Sequence, residues 1–281
     1  MKYLIIHADD GGVNGSVNDA IIDGLKDNYF SSTSVLVPAP ESISMMARLS
    51  SLRDIDVGVH LCVTGEHDNS RWKPLLPAEQ VPTLVDKNGY LWSTKEQFAQ
   101  NASLAEIERE LKAQIEMVFQ SGLKPTHIDS HQGTMFLTKE LIMLYLKLGK
   151  IYDLLPMILK PSQILDDFIQ RRNLRLTSDD VLEIKKMGII SLDSLHMVDL
   201  RIDDYIERKK RYETILTNLT EGVSQIIVHP GYDDNRLRMI TKSSKARQLD
   251  FTIFREFVID DILGRFNIKL VNWHNLKEQD I

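Results

Sequence analysis

Tyr3-Leu4-Ile5-Ile6-His7-Ala8-Asp9-Asp10-Gly11-Gly12 is the stretch that decides the fold. A short apolar, β-rich run stops abruptly in a histidine, two adjacent acids and two glycines. The same event recurs in Val57-Gly58-Val59-His60-Leu61-Cys62-Val63, in Pro125-Thr126-His127-Ile128-Asp129-Ser130-His131-Gln132 and in Ile226-Ile227-Val228-His229-Pro230-Gly231-Tyr232. Apolar residues at nearly every position, rather than at every second one, mark parallel strands covered on both faces. Outward from these, the candidate strands are residues 3–8, 33–37, 57–63, 126–130, 189–197, 225–229 and 268–273, with a further one near 151–155.

Helical patterns fill the gaps. The clearest starts at Ser103, where Ser103-Leu104-Ala105-Glu106 has capping-box spacing. Leu104, Ile107, Leu111, Ile115 and Val118 follow at helical intervals, and Gly122 supplies a stop. Seven or eight strand–helix alternations predict an α/β single domain over residues 1–281, a (β/α) barrel or distorted TIM-like barrel; a doubly wound sheet is the alternative. Residues 65–101 break the rhythm with Pro74, Pro77, Pro82, Trp72, Trp92 and little periodicity. They read as a structureless loop insertion after the third strand, a functional loop or lid.

The chain has 281 residues and a formal charge of −6, from 34 Lys and Arg against 40 Asp and Glu; 43% of it is hydrophobic and 26% charged. That is ordinary globular composition, which excludes a disordered or fibrous chain. Mild acidity offers no footprint for nucleic acid or an anionic membrane. The lone Cys62 excludes a disulfide framework and a thiolate-rich zinc site. No apolar run approaches the eighteen residues of a membrane span, and the expectation is a soluble, cytoplasmic protein.

Each cluster has two readings. Asp9 and Asp10 at a strand end suit a metal ligand beside a catalytic carboxylate; alternatively they form a turn capping a helix near Val17. Strand alternation puts His60 on one face with Gly58 and Cys62, where a barrel interior is normally apolar and a histidine needs a partner. The same period aligns His127, Asp129 and His131, three ionisable groups that are costly to bury unless they bind something or one another. His229 ends its strand as the others do. His67 reads as solvated, while His196 and His274 stay ambiguous. Two histidines and a carboxylate from separate strands make a mixed nitrogen–oxygen site for a divalent metal. With a second carboxylate as base and a histidine as acid, that is the equipment of metal-assisted hydrolysis.

Ala8-Asp9-Asp10-Gly11, Gly58-Val59-His60-Leu61, the segment from Pro125 to His131, and His229-Pro230 together resemble the YdjC-like carbohydrate deacetylases, the chitooligosaccharide deacetylase group. The likeness runs from the first strand to about Tyr232. It implies a barrel-like fold and removal of an acetyl group from an N-acetylated sugar. It makes Asp10, His60 and His131 the metal ligands, Asp9 the general base and His229 the acid. His127, Asp129, Tyr232 and Trp72 are expected to contact substrate. The cofactor is a divalent metal ion: the family implies magnesium, and two imidazoles favour zinc. The expected partner is a small acetylated sugar, with no nucleic acid and no membrane; a homo-oligomer such as a dimer is left open. The chain departs from the family pattern at His7 (usually Asn), Gly11 (usually Phe) and Gly133 (often His). Another metallohydrolase, an amidohydrolase or phosphoesterase, is one alternative; a non-catalytic sugar-binding protein on the same fold is another.

Overall fold

The computed structural model describes residues 1–66, 70–160, 177–259 and 261–278. Its strands are β1 (Lys2–Gly11), β2 (Ser32–Val35), β3 (Val57–Leu61), β4 (His127–Ser130), β5 (Leu155–Pro156), β6 (Ser194–Met197), β7 (Gly222–Val228) and β8 (Ile268–Leu270). Between them run α1 (Gly15–Lys26), α2 (Ser42–Ser50), α3 (Lys95–Asn101), α4 (Leu104–Gln120), α5 (Lys139–Tyr152), α6 (Ser178–Lys186), α7 (Tyr205–Asn218), α8 (Asn235–Arg238), α9 (Ser244–Ile259), α10 (Ile262–Arg265) and α11 (Trp273–Glu278). The expectation for His67 lies outside the described residues, and no described helix is long and apolar enough to cross a membrane.

The strands form one parallel sheet in the order β5-β4-β3-β2-β1-β7-β6, with β8 also paired to β1. β1 is its centre. One edge of it pairs with β7 from Lys2 to Ala8; it also pairs with β8 at Lys2–Leu4 and with β2 at His7, Ala8 and Gly11. The sheet curves into a half-barrel, and beyond its terminal strands Leu159 and Leu192 meet in a parallel bridge. The fold is therefore α/β and barrel-like, without the reversed strand order of a doubly wound sheet.

Alternation along β1 separates two apolar layers. Leu4, Ile6 and Ala8 join the main core under the helices with Val17 and Ile21. Ile5 joins a smaller cluster with Met157, Leu159, Leu192, Val271 and Trp273. On Ile5's face the next side chains are His7 and Asp9. The inner lining thus turns from apolar to polar toward the carboxyl ends of the strands.

The local readings needed correcting in four places. Strand β4 stops at Ser130, and His131 opens a short 3-10 turn to Phe136 in which Gln132 and Gly133 are left-handed (φ 53° and 67°). Ile151 and Tyr152 complete α5, which ends on a left-handed Asp153, leaving only two residues for β5. The sixth strand occupies only the end of 189–197. The capping box does not form: Ser103 is the N-cap without a side-chain bond, its N–H goes to Thr83 Oγ1, and the Glu106 carboxylate accepts from the backbone N–H and the hydroxyl of Thr83.

Residues 70–101 are not structureless either. They carry α3 and an antiparallel bridge between Val85 and Leu91. They are held against α4, where Glu110, buried, accepts from the N–H groups of Leu75 and Leu76 (2.8 and 3.0 Å).

Gly58 is required by packing. A Cβ there would lie 2.3 Å from Nε2 of His127. His127 cannot yield, because it is fully buried and stacked on Trp273 (centroids 5.0 Å apart, planes 18° apart). Gly58→Ala is expected to destabilise the chain by about 1–3 kcal/mol, as overpacked cores do. Urea unfolding of the variant should show a lower midpoint at unchanged slope; an unchanged midpoint would contradict the packing.

Candidate metal centre

Consecutive residues on a regular strand face opposite sides of the sheet, so Asp9 and Asp10 should diverge. They do not, because the pairing of β1 with β2 shifts register between Ala8 and Gly11 and Asp10 is left-handed (φ 67°). Such a bulge re-aims a side chain. Asp9 Oδ1 comes within 3.0 Å of His60 Nδ1, and Asp10 Oδ1 within 3.7 Å of His60 Nε2. Two adjacent acids thereby flank one imidazole.

The 3-10 turn after β4 brings in His131. Its Nδ1 lies 3.1 Å from His60 Nε2 and 3.6 Å from Asp10 Oδ1. The triangle's edges are thus 3.1, 3.6 and 3.7 Å. Donor atoms bound at ~2.0–2.1 Å to a common divalent cation stand roughly 3.0–3.4 Å apart, close to this spacing. The ring atoms behind the triangle are engaged by acids. His60 Nδ1 donates to Asp129 Oδ1 (2.8 Å), and His131 Nε2 donates to the Glu66 carboxylate (3.2 and 3.0 Å to its two oxygens). Carboxylate–imidazole pairs of this kind fix the tautomer that presents the opposite nitrogen to a metal. The residues present therefore fit a divalent cation held by Asp10, His60 and His131. Two neighbouring triads, Asp9-His60-Asp129 and His7-His127-Asp129, also gather ligand atoms. Asp129 already accepts from both His60 and His7 (2.8 and 2.9 Å), which makes it a support for imidazoles rather than a ligand.

Charge is balanced by burial partners. His7 sits beneath the triangle, its Nδ1 on Ser32 Oγ and its Nε2 on Asp129. Burial pushes its pKa down, but hydrogen bonds and charges from Asp129 and Asp9 outweigh that and raise it to about 10. Burial also opposes ionisation of Asp10, yet the guanidinium of Arg247, whose Nη2 donates to Asp10 Oδ2, holds the carboxyl well below its ordinary value. The acids likewise raise His60 and His131 against their burial, Asp9 and Asp129 acting on the first and Glu66 foremost on the second. His229, after β7, points Nε2 at Asp9 Oδ2 (3.7 Å). Burial lowers its pKa.

Asp9, Asp10, His60, Asp129, His131 and His229 thus converge as a set. The four residues expected to contact substrate stand at different depths around this set. His127 has no exposed surface; its Nδ1 bonds Thr126 Oγ1, and it packs on Trp273 below the polar layer. Asp129 is 1% exposed and spends its oxygens on His60, His7 and Ser34. Tyr232 turns its hydroxyl to Asp23 of α1 and its ring edge to Phe251 of α9. Trp72 is 1% exposed and packs against His131 (5.4 Å between centroids), a wall of the site rather than an open stacking face. His196 bonds Ser194, and His274 pairs with Glu278.

Sequence reading missed Glu66 and Arg247. Glu66 closes the Val63-Thr64-Gly65 stretch just after β3, a position past a strand end like those of the other acids. Arg247 carries no local signal, lying within α9 and reaching Asp10 across 237 residues of chain.

The family model described as YdjC-like protein matches residues 3–263, from β1 into α10, and so spans every residue of the centre. A carbohydrate deacetylase from Thermoanaerobacter pseudethanolicus is 27% identical over 282 residues, covering 99% of this chain and 100% of that protein. One from Enterococcus faecalis is 29% identical over 283 residues, with 98% of each covered. A crystal structure from Enterococcus faecalis V583, described as a cellobiose-phosphate cleavage protein, superposes with a TM-score of 0.78 at 29% identity, again over 98% of each chain. With a match over nearly its whole length, the chain belongs to the YdjC-like protein family.

Proposed function

We propose that the protein is a metal-dependent carbohydrate deacetylase, hydrolysing the acetamide of an N-acetylated sugar such as a chitooligosaccharide. The observation that carries this is the buried Asp10-His60-His131 triangle with a second acid–histidine pair, Asp9 and His229, beside it. The names of the full-length relatives support it. When bound by the triangle, a divalent cation, magnesium or zinc, would acidify water and polarise the acetyl carbonyl. Asp9 would accept the proton of the attacking water. Its Oδ2 faces His229, so base and acid stand side by side. His229 would donate a proton to the departing nitrogen, so that the amine leaves neutral. Asp129 and Glu66 hold the two imidazoles in orientation. Residues 70–101 reach the centre through Trp72, whose ring packs against His131.

Chelator-treated protein, reloaded separately with magnesium and zinc, should release acetate from diacetylchitobiose or a related acetylated sugar, and the chelated form should not. Failure of the loaded protein on every N- or O-acetylated sugar would sink the proposal. Turnover of phosphate esters in the same screen would replace it with a phosphoesterase.

A further inference from the structure

The two imidazoles of the triangle are used in opposite senses. His60 presents Nε2 and is supported through Nδ1 from within the sheet; His131 presents Nδ1 and is supported through Nε2 from outside it, by Glu66. The support behind His60 is doubled, since Asp9 and Asp129 both lie within 3.0 Å of its Nδ1. That behind His131 is Glu66, both of whose oxygens lie within 3.2 Å.

Surface ion pairs are usually loose and weak. This one is placed by the fold. Gly65, the preceding residue, donates its N–H to Trp92 O (2.9 Å). A Cβ on Gly65 would stand 3.3 Å from the backbone nitrogen of Trp72, and the Trp72 ring lies against His131. The chain at Glu66 is thus clamped between the end of β3 and residues 72 and 92. The Glu66 side chain keeps 28% of its surface, whereas His131 keeps 6%. A carboxylate on the outer nitrogen of a buried imidazole does two things at once: it holds the ring so that Nδ1 faces Asp10 and His60, and it raises the basicity of that nitrogen. Both effects strengthen binding by the deprotonated ring, so the loss is read at a pH high enough that protons do not compete for His131.

We infer that Glu66 is the positioning residue for His131, setting its tautomer and angle and thereby the affinity of the centre for its cation. This rests on the metal reading of the triangle given above. Outer partners of metal-bound histidines typically contribute 10–100-fold in affinity. Glu66→Ala should therefore weaken zinc binding about 10–100-fold, measured by competition with a chromogenic chelator. Glu66→Gln keeps an acceptor for the ring N–H but no charge, and should fall between Glu66→Ala and the unchanged chain. Saturating zinc should restore most of kcat in both variants, since the defect lies in holding the ion. The melting temperature of the chelated variants should stay close to that of the unaltered chain, because the pair is partly solvated.

Zinc affinity of Glu66→Ala within twofold of the unaltered protein would overturn the assignment. If Glu66→Ala does not fold, Glu66→Gln decides alone, weaker binding supporting and unchanged binding overturning it. An unaltered chain that binds neither zinc nor magnesium would sink the metal proposal itself, a separate and distinguishable failure.

Discussion

His131→Ala is expected to leave a folded protein that holds no divalent cation tightly and loses at least about 10³-fold in acetate release. A three-residue centre that surrenders one nitrogen keeps too few ligands to hold a cation against water. His131 is the informative position because its outer partner, Glu66, is partly solvated and can turn to water when the ring is gone. His60→Ala should lose the cation too, but with a second penalty. Asp9 and Asp129 would both lose the imidazole they share, and Asp129 is 1% exposed. Breaking a buried ion pair costs about 3–5 kcal/mol, so His60→Ala should also melt markedly lower. Elemental analysis together with thermal unfolding separates the two outcomes. Metal content equal to the unaltered chain in His131→Ala would refute the ligand assignment. The same geometry sets a pH dependence. Nearby acids raise the pKa of both His60 and His131, so before any cation binds these rings favour their protonated forms. A cation must displace those protons, and affinity should therefore fall as pH falls and climb as it rises.

Asp9→Asn is expected to retain the metal and lose rate by about 10²–10⁴-fold, the usual worth of a positioned general base. Retention follows from the duplicated support behind His60. Asp9 lies 3.0 Å from its Nδ1, but Asp129 lies nearer, at 2.8 Å, and holds the ring by itself. The loss of rate follows from the second oxygen. Asp9 Oδ2 faces His229, and an amide there accepts a hydrogen bond but does not take up a proton. A variant with full metal content and a collapsed kcat fits this role. Loss of both would make Asp9 a ligand, and unchanged kcat would remove it from the chemistry.

The strand-end clusters were legible in the sequence for a simple reason. Parallel strands are apolar almost throughout, and polar residues that interrupt them gather where the strands end. Asp9, Asp10, His60, His131 and His229 stand out against Leu4-Ile5-Ile6, Val57, Val59 and Ile226-Ile227-Val228 without any knowledge of three-dimensional contacts. Strand alternation, by contrast, misjudged both ends of the Pro125–His131 segment. It set His127, Asp129 and His131 on one face as equals, but they differ in depth. His127 lies low, against Trp273 of a helix almost 150 residues away, Asp129 lies between, and His131 has left the strand altogether for a 3-10 turn. The same rule would have parted Asp9 from Asp10, which a bulge and one left-handed residue bring together.

Local sequence by itself determined the parallel α/β class, the strands that matter and the chemical types gathered at their ends, because periodicity and composition act over a few residues. Only the tertiary structure decided which histidines gather with Asp10 and which is core, that Tyr232 turns away between α1 and α9, and that Glu66 and Arg247 stand against that cluster. Those outcomes depend on the relative register of strands and helices far apart in the chain. Register is set by the packing of the whole sheet, not by any segment within it.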